Sequence, residues 1–97
     1  MLDFLKKANI SDATIRYINE NFSSNNIMAL SDNSEECLKI ISYFRKIGIN
    51  NIDNLLIDET YIFLKLFDIV TNKFSEYNLN TLVNDINEDY MNIEKYI

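Results

Sequence analysis

Apolar side chains recur along this chain at the three- and four-residue spacing of amphipathic helices. In the first third, the spacing predicts a short helix over residues 1–8 and a second helix over residues 12–22. Ser11 precedes the second helix, and its hydroxyl oxygen can accept a hydrogen bond from one of the unpaired amides at the helix start. The polar run of residues 23–26 ends that helix.

The strongest helix signal follows the short apolar segment 27–30. Asp32 or Asn33 is predicted as the N-cap, with Glu35 or Glu36 three residues later to close a capping box. The helix then continues with one apolar face and one polar face. Its predicted buried positions are Cys37, Ile40, Ile41, Phe44 and Ile47.

The only glycine of the chain marks the end of this helix. Gly48 stands where a residue in the left-handed conformation commonly terminates a helix, and glycine adopts that conformation without steric cost. Ile49 is therefore predicted to fold back on Phe44 in a Schellman closure.

The second half of the pattern predicts one long helix between two short apolar turns, and then a last helix. Asp58 is predicted as the N-cap of the long helix, which runs from Glu59 to about Phe74 at the centre of the fold. Asn87 is predicted to open the last helix. The stripe of the long helix comprises Ile62, Phe63, Leu66, Phe67, Val70 and Phe74, extended around the cylinder by Leu64 and Ile69. The short turns carry Ile52, Leu55 and Leu56, and Leu79, Leu82 and Val83.

Together these elements predict an all-α fold, in which residues 1–97 form a single domain. We expect a small right-packed array of about five to seven helices, short and long in alternation. A repeated motif supports this arrangement, because stacked units of a short and a long helix produce such a period. The motif is Asn26-Ile27-x-x-Leu30, Asn51-Ile52-x-x-Leu55 and Asn78-Leu79-x-x-Leu82. Chance recurrence in a chain rich in asparagine and isoleucine is the alternative.

The segment Phe44-Arg45-Lys46-Ile47-Gly48-Ile49, followed by Ile52, Leu55 and Leu56, resembles the helical repeats of the mitochondrial transcription termination factor family. The resemblance covers residues 35–75. In that family a helix ends in an apolar-Gly-apolar step before a short helix and the next long one. The resemblance implies a helical-repeat architecture and nucleic-acid binding through basic concave surfaces. This segment lacks the repeat proline of the family and has a shorter gap after the glycine.

Composition narrows the chemistry that the chain can perform. It contains no histidine, and Cys37 is its only cysteine. Common zinc sites and Ser-His-Asp or Cys-His catalysis therefore cannot be built from this chain alone. Because Cys37 falls on an apolar helix face, a buried structural thiol is predicted. There is no glycine-rich phosphate loop either, so we expect no enzyme activity, no cofactor and no metal.

The same features predict the compartment. A single cysteine, and an N-terminus without a basic-then-apolar leader, favour a reducing interior, so we expect a cytoplasmic protein. The longest apolar stretch, residues 61–70, is interrupted by Lys65 and Asp68. It is much shorter than the roughly 20 apolar residues that cross a bilayer. We expect a core helix there, and no membrane partner.

One acidic run partly matches a calcium-binding loop. Asp85, Asn87 and Asp89 occupy its first three alternate ligand positions. The match then fails, because Tyr90 replaces the glycine at the sharp turn and Tyr96 replaces the bidentate glutamate. Helix capping and a solvated surface are therefore predicted for this run, without a bound metal.

Charge and aromatic residues suggest a partner-binding surface near the C-terminal end. The net charge is −6, and residues 49–97 hold nine acidic and three basic groups. Tyrosine supplies a large contact area with a polar tip at little entropic cost. We predict Tyr77, Tyr90, Tyr96 and Glu94 as the partner-binding residues. The expected partner is another protein, basic in character, or a second copy of the chain.

Residues 1–48 leave a second possibility open. They hold six basic and six acidic groups, and we expect the cations to gather on one side if the first three helices pack in order. The predicted nucleic-acid contacts are Lys39, Arg45 and Lys46, with Tyr43 available for stacking on bases. An ordinary mixed-charge surface is the alternative. The first hypothesis is thus a noncatalytic, regulatory protein-interaction module; weak nucleic-acid binding, or an acidic decoy of a nucleic-acid-binding protein, comes second.

Overall fold

Helices account for most of the chain. The computed structural model describes residues 1–97 and contains seven α-helices, two 3-10 helices and no strand. The α-helices are α1 (Asp3–Lys7), α2 (Asp12–Asn21), α3 (Ser24–Asp32), α4 (Ser34–Ile47), α5 (Ile52–Asp58), α6 (Phe67–Phe74) and α7 (Leu79–Glu88). The first 3-10 helix is Thr60–Leu64, and the second is Tyr90–Lys95. The predicted all-α fold class is confirmed.

The second helix begins as the pattern predicts. The Ser11 hydroxyl oxygen accepts a hydrogen bond from the Thr14 amide at 3.1 Å and so caps α2. Asp53 of α5 ties this cap to the middle of the chain, since its Oδ2 accepts from the Ser11 amide at 3.1 Å and from the Thr14 hydroxyl at 2.8 Å. Burial alone would raise the pKa of Asp53, but these hydrogen bonds hold it below its ordinary value.

Packed aromatic rings form the centre of a core of 23 buried apolar residues. Phe44 of α4 stacks on Phe74 of α6 with ring centroids 5.6 Å apart, and it meets Phe63 edge-on at 5.7 Å. Both geometries are favourable for aromatic pairs. Cys37 is fully buried in the same core, as predicted, and burial raises the pKa of its thiol to about 12.

The end of α4 is closed by Gly48 as the sequence predicts. Gly48 has a φ of +99° and lies in the left-handed region. Its amide donates to the Arg45 carbonyl oxygen at 3.1 Å, and the Ile49 amide donates to the Phe44 carbonyl oxygen at 2.9 Å. This pair of bonds is the Schellman pattern, which satisfies carbonyl groups that the helix leaves unpaired.

Changing Gly48 to alanine should lower the free energy of unfolding by about 1–2 kcal/mol, because an L-residue is strained in the left-handed region. A Cβ at this position would lie 3.7 Å from Val83 Cγ1, an ordinary contact, so backbone strain rather than a clash causes the loss. Urea denaturation measures it. Ser42→Ala, at an exposed position of α4, is the control; equal stabilities of the two variants would contradict the prediction.

The predicted long helix from Glu59 to Phe74 is wrong. The first 3-10 helix ends at Leu64, Lys65 and Leu66 are extended, and α6 begins only at Phe67. Asp58 is not the N-cap of a long helix either. It is the last residue of α5, and its carboxylate accepts a hydrogen bond from the Tyr90 hydroxyl.

Two side chains from the α3–α4 corner cause this break. In a continuous α-helix the Phe67 amide would donate to the Phe63 carbonyl oxygen. Instead, Asn33 Nδ2 donates to the Phe63 carbonyl oxygen at 2.8 Å and to that of Lys65 at 3.1 Å. Glu36 Oε1 accepts from the Phe67 amide at 2.9 Å. Asn33 is the N-cap position of α4, as predicted, but its side chain makes no capping bond, so the predicted capping box is wrong.

The C-terminal third also departs from prediction. Asn87 does not open a helix but lies within α7, where its Oδ1 accepts from the Asn50 amide and its Nδ2 donates to the Gly48 carbonyl oxygen, both at 2.9 Å. The last helix is the 3-10 helix Tyr90–Lys95, which Asp89 caps by accepting a hydrogen bond from the Met91 amide at 3.0 Å. The chain therefore ends in one short, tight helix packed on α7.

The three repeated motifs lie in three short helices, α3, α5 and α7. A long α-helix follows only the first motif, whereas a 3-10 helix follows each of the other two. The alternation of short and long helices is therefore not maintained along the chain. None of the helices has the length and apolar character needed to span a membrane.

Candidate interaction surfaces

The structure brings two of the three predicted partner-binding tyrosines together. Tyr77 and Tyr96 meet edge-to-face with ring centroids 4.9 Å apart. The Tyr96 hydroxyl donates to Asp85 Oδ2 at 2.7 Å, and Lys95 Nζ lies 3.2 Å from the same oxygen. Tyr90 is held by α5 instead, through its bond to Asp58. Two of the three hydroxyls are thus engaged by carboxylates within the chain.

The acidic run that partly matches a calcium loop makes hydrogen bonds within the chain. Hydrogen bonds from Tyr96 and Lys95 lower the pKa of Asp85, and Asn92 Nδ2 donates to its Oδ1 at 3.0 Å. Asn87 bonds to the turn after α4, and Asp89 caps the second 3-10 helix. No group of three or more acidic or cysteine side chains is placed where it could hold a metal ion.

Glu94 is the fourth predicted partner-binding residue. Its carboxyl lies near that of Glu59, for which the sequence predicted only a position at the start of a helix. Glu59 is 4% exposed, and its carboxyl lies near the Glu94 carboxyl and the Tyr61 hydroxyl. Burial, the neighbouring Glu94 carboxyl and the nearby charge of Asp58 raise the pKa of Glu59. Burial and the neighbouring Glu59 raise the pKa of Tyr61 to about 12.

This carboxyl pair should make stability fall as the pH rises. Because the folded chain raises the pKa of Glu59, it binds the proton more tightly than the unfolded chain, and the contribution is lost as the pH rises through the folded pKa. Glu94→Gln removes the repulsion, so we expect the thermal midpoint near neutral pH to rise by a few degrees and to vary less with pH.

Thermal unfolding followed by circular dichroism at acidic and neutral pH measures this effect. Asp53, Glu36 and Asp85 have lowered pKa values and act in the opposite direction, but they are common to both proteins, so the difference between variant and wild type isolates the pair. Glu88→Gln, at an exposed position of α7, is the control. A Glu94→Gln protein with an unchanged pH profile would contradict the prediction.

Three of the four predicted nucleic-acid contacts lie in one open groove on α4. Lys39, Tyr43 and Lys46 line it together with Leu38, Ser42 and Phe67, and its volume is about 400 Å³. We name this set the α4 groove. Tyr43 is half-buried and meets Phe67 edge-on with ring centroids 5.9 Å apart, and burial raises the pKa of its hydroxyl.

Arg45, the fourth predicted contact, turns away from the groove. Its guanidinium donates to the carbonyl oxygens of Ala8 and Asn9, just after α1. Lys6 and Arg16 line a separate depression between α1 and α2, where Asp12 and Glu20 give a mixed charge. The basic residues of the first half therefore do not form one continuous surface.

The break before α6 exposes apolar side chains that the sequence pattern had placed in a helix stripe. Leu64, Leu66 and Ile69 are 37%, 56% and 53% exposed. All three lie at the break itself: Leu64 ends the first 3-10 helix, Leu66 is extended, and Ile69 lies one helical turn beyond Leu66 in α6. We name these three residues the junction surface. No sequence signal identified it, since a continuous helix would have distributed the three residues around one cylinder.

Next to the junction surface lies a depression of about 340 Å³. Ile69, Val70 and Ile97 supply its apolar lining, and Lys65 and Lys73 stand at its edge. Apolar surface therefore continues from the break along α6.

Comparison with known proteins gives no relative. No protein-family model matches the chain, and no curated protein or solved structure matches it significantly.

Proposed function

We propose that this chain is a noncatalytic helical module that binds another protein through the junction surface. The observation that carries the proposal is the exposure of three large apolar side chains, Leu64, Leu66 and Ile69, within six residues at the break before α6. Single exposed apolar side chains are ordinary, but adjacent ones on one face are typical of interaction sites. The neighbouring apolar depression along α6 enlarges the surface that a partner would cover.

The backbone beneath this surface is fixed before any partner binds. Asn33 and Glu36 hold the chain on both sides of Lys65 with three hydrogen bonds. A surface held in this way loses little conformational freedom on association, and preorganisation of this kind improves affinity. The junction surface therefore has the apolar character and the rigidity that a protein-binding site requires.

The predicted tyrosine surface ranks below the junction surface in this proposal. The hydroxyls of Tyr90 and Tyr96 already bond to Asp58 and Asp85, so a partner would gain fewer new hydrogen bonds there. The noncatalytic character is supported by the buried Cys37 thiol and by the lack of histidine, which leave the chain without an accessible cysteine nucleophile and without an imidazole base.

A double variant tests this function. Leu66→Asp with Ile69→Asp places two charges in the contact, and such hot-spot changes should weaken partner capture by about thirtyfold, equivalent to about 2 kcal/mol. The full chain is used as bait in an extract of the source cell, the captured proteins are identified by mass spectrometry, and the affinity for each is measured with purified protein.

Met91→Asp is the matched control, because Met91 is 51% exposed but lies on the second 3-10 helix, away from the break. It should leave capture unchanged. Sedimentation of the three proteins determines whether the bound partner is a second copy of the chain. If the double variant captures the same proteins as the wild type and all three sediment as monomers, the proposed function is wrong.

A further inference from the structure

The α4 groove combines positive charge with an apolar floor. Lys39, Tyr43 and Lys46 are four and three residues apart on one helix, so they share a face, and the two lysines are separated by about 10 Å along the helix axis. Tyr43 and Phe67 supply an aromatic floor between them. Phe67 is held in place because Glu36 accepts its amide hydrogen.

One of the two lysines has no acidic partner. The three ion pairs of the chain join Lys39 to Glu36, Lys73 to Glu76 and Lys95 to Asp85, so Lys46 takes part in none of them. Lys46 is exposed and lines the groove. Its charge is therefore available to a ligand without the loss of an existing contact.

Two further basic residues lie in a depression beside the α4 groove. Leu38 and Ser42 line both the α4 groove and a neighbouring depression that contains Lys7 and Arg45. Four basic side chains, Lys7, Lys39, Arg45 and Lys46, thus lie in two neighbouring depressions beside α4, although the chain as a whole carries a net charge of −6. This side of the molecule should therefore attract an acidic ligand more strongly than the surface formed by the acidic residues 49–97.

We infer that the α4 groove binds an acidic peptide segment of a partner protein, with an apolar side chain on Tyr43 and Phe67 and carboxylates at Lys39 and Lys46. This inference rests on the proposed function in that the chain acts as a protein-binding module. It adds a second surface, with a partner of defined charge, to the apolar junction surface.

The geometry favours a peptide over a nucleic acid. The ring of Tyr43 packs among Phe44, Phe67 and Phe74, with centroid distances of 6.3, 5.9 and 6.1 Å. It is one half-buried ring that can accept one apolar side chain, whereas single-stranded nucleic acid stacks successive bases on several exposed rings. Only two lysines line the groove, and Glu36 already pairs with Lys39 at 3.2 Å. A phosphate backbone needs a longer track of positive charge than these two lysines provide. A short peptide with two carboxylates and one apolar side chain needs only the two lysines and the aromatic floor.

The probe is a fluorescently labelled synthetic peptide in which a central phenylalanine is flanked by glutamates. Its binding to the full-length chain is measured by anisotropy at low and moderate salt. Lys46→Gln should weaken binding about threefold, and the double variant with Lys39→Gln about tenfold, as expected for exposed charge pairs. Added salt should reduce the affinity of the wild type but have less effect on the double variant.

Lys95→Gln is the matched control for Lys39→Gln. The side chains of Lys39 and Lys95 are 59% and 61% exposed, and each is paired with a carboxylate at 3.2 Å. A second, structurally mild test is Ser42→Glu, which puts a negative charge at the exposed edge of the groove and should weaken binding about tenfold. Asn80→Glu, at an exposed position of α7, should have no effect.

Three outcomes would overturn the inference. The first is equal affinity for a peptide in which glutamine replaces each glutamate, and the second is equal weakening by Lys95→Gln. The third is binding of a labelled single-stranded oligonucleotide but not of the peptide. The Leu66→Asp, Ile69→Asp protein separates this inference from the proposed function, because it should lose partner capture but bind the peptide normally. If the wild type fails to bind the peptide but still captures a partner through the junction surface, this inference is wrong and the proposed function stands.

Discussion

Replacing Phe44 with alanine is expected to lower the free energy of unfolding by about 4 kcal/mol, because removal of a fully buried phenylalanine loses its transfer energy and leaves a cavity. Phe44 is completely buried, and its ring packs against those of Phe63 and Phe74 with centroid distances of 5.7 and 5.6 Å. It thereby joins α4 to both segments on either side of the break. Urea denaturation, followed by circular dichroism at low temperature, measures the loss.

Two further variants keep this prediction testable if the alanine variant is largely unfolded. Phe44→Leu retains most of the apolar volume and should lose about 1.5 kcal/mol. Phe4→Ala removes a phenylalanine that is only partly buried at the edge of the core, and it should cost clearly less than Phe44→Ala. Equal losses for Phe4→Ala and Phe44→Ala would show that the ring cluster is not the centre of the core.

Asn33→Asp is expected to have the second-largest effect, a loss of about 2–3 kcal/mol, because two carbonyl groups lose their donor and face a negative charge instead. The changed atoms are those that donate to Phe63 and Lys65, at 2.8 and 3.1 Å. The substitution is otherwise isosteric, so the result isolates the hydrogen bonds. Urea denaturation gives the loss, and amide hydrogen exchange at Phe67 shows whether the break opens first.

Asn84→Asp is the control for this substitution. Asn84 is exposed on α7, and the same chemical change there should alter stability by no more than about 0.5 kcal/mol. The prediction fails if Asn33→Asp and Asn84→Asp are equally stable, since the bonds to the 63–65 backbone would then contribute nothing.

Local rules predicted the parts of the fold that local interactions determine. The Ser11 cap depends on an amide three residues later. The Gly48 closure depends on carbonyl oxygens that lie three residues before the Gly48 amide and five residues before the Ile49 amide. The break before α6 depends instead on Asn33 and Glu36, which lie about 30 residues earlier in the chain. The apolar spacing of residues 59–74 is fully compatible with one helix, so periodicity alone could not reveal the break.

The same distinction explains the candidate sites. Lys39, Tyr43 and Lys46 share one helix, and helical spacing was sufficient to predict that they lie together. Arg45 is one position before Lys46, and a rotation of about 100° per residue turns it towards α1. The exposure of Leu66 and the pairing of Glu59 with Glu94 depend on how distant segments meet. Neither could be inferred from spacing.

The two hydrogen bonds of Asn87 have a consequence for how the molecule opens. Asn87 binds both the Gly48 carbonyl oxygen and the Asn50 amide, each at 2.9 Å, and so fastens α7 to the turn that ends α4. Separation of α7 would break both bonds and leave the two backbone groups to water. We therefore expect α7 and the turn of residues 48–50 to open together, as parts of a single foldon.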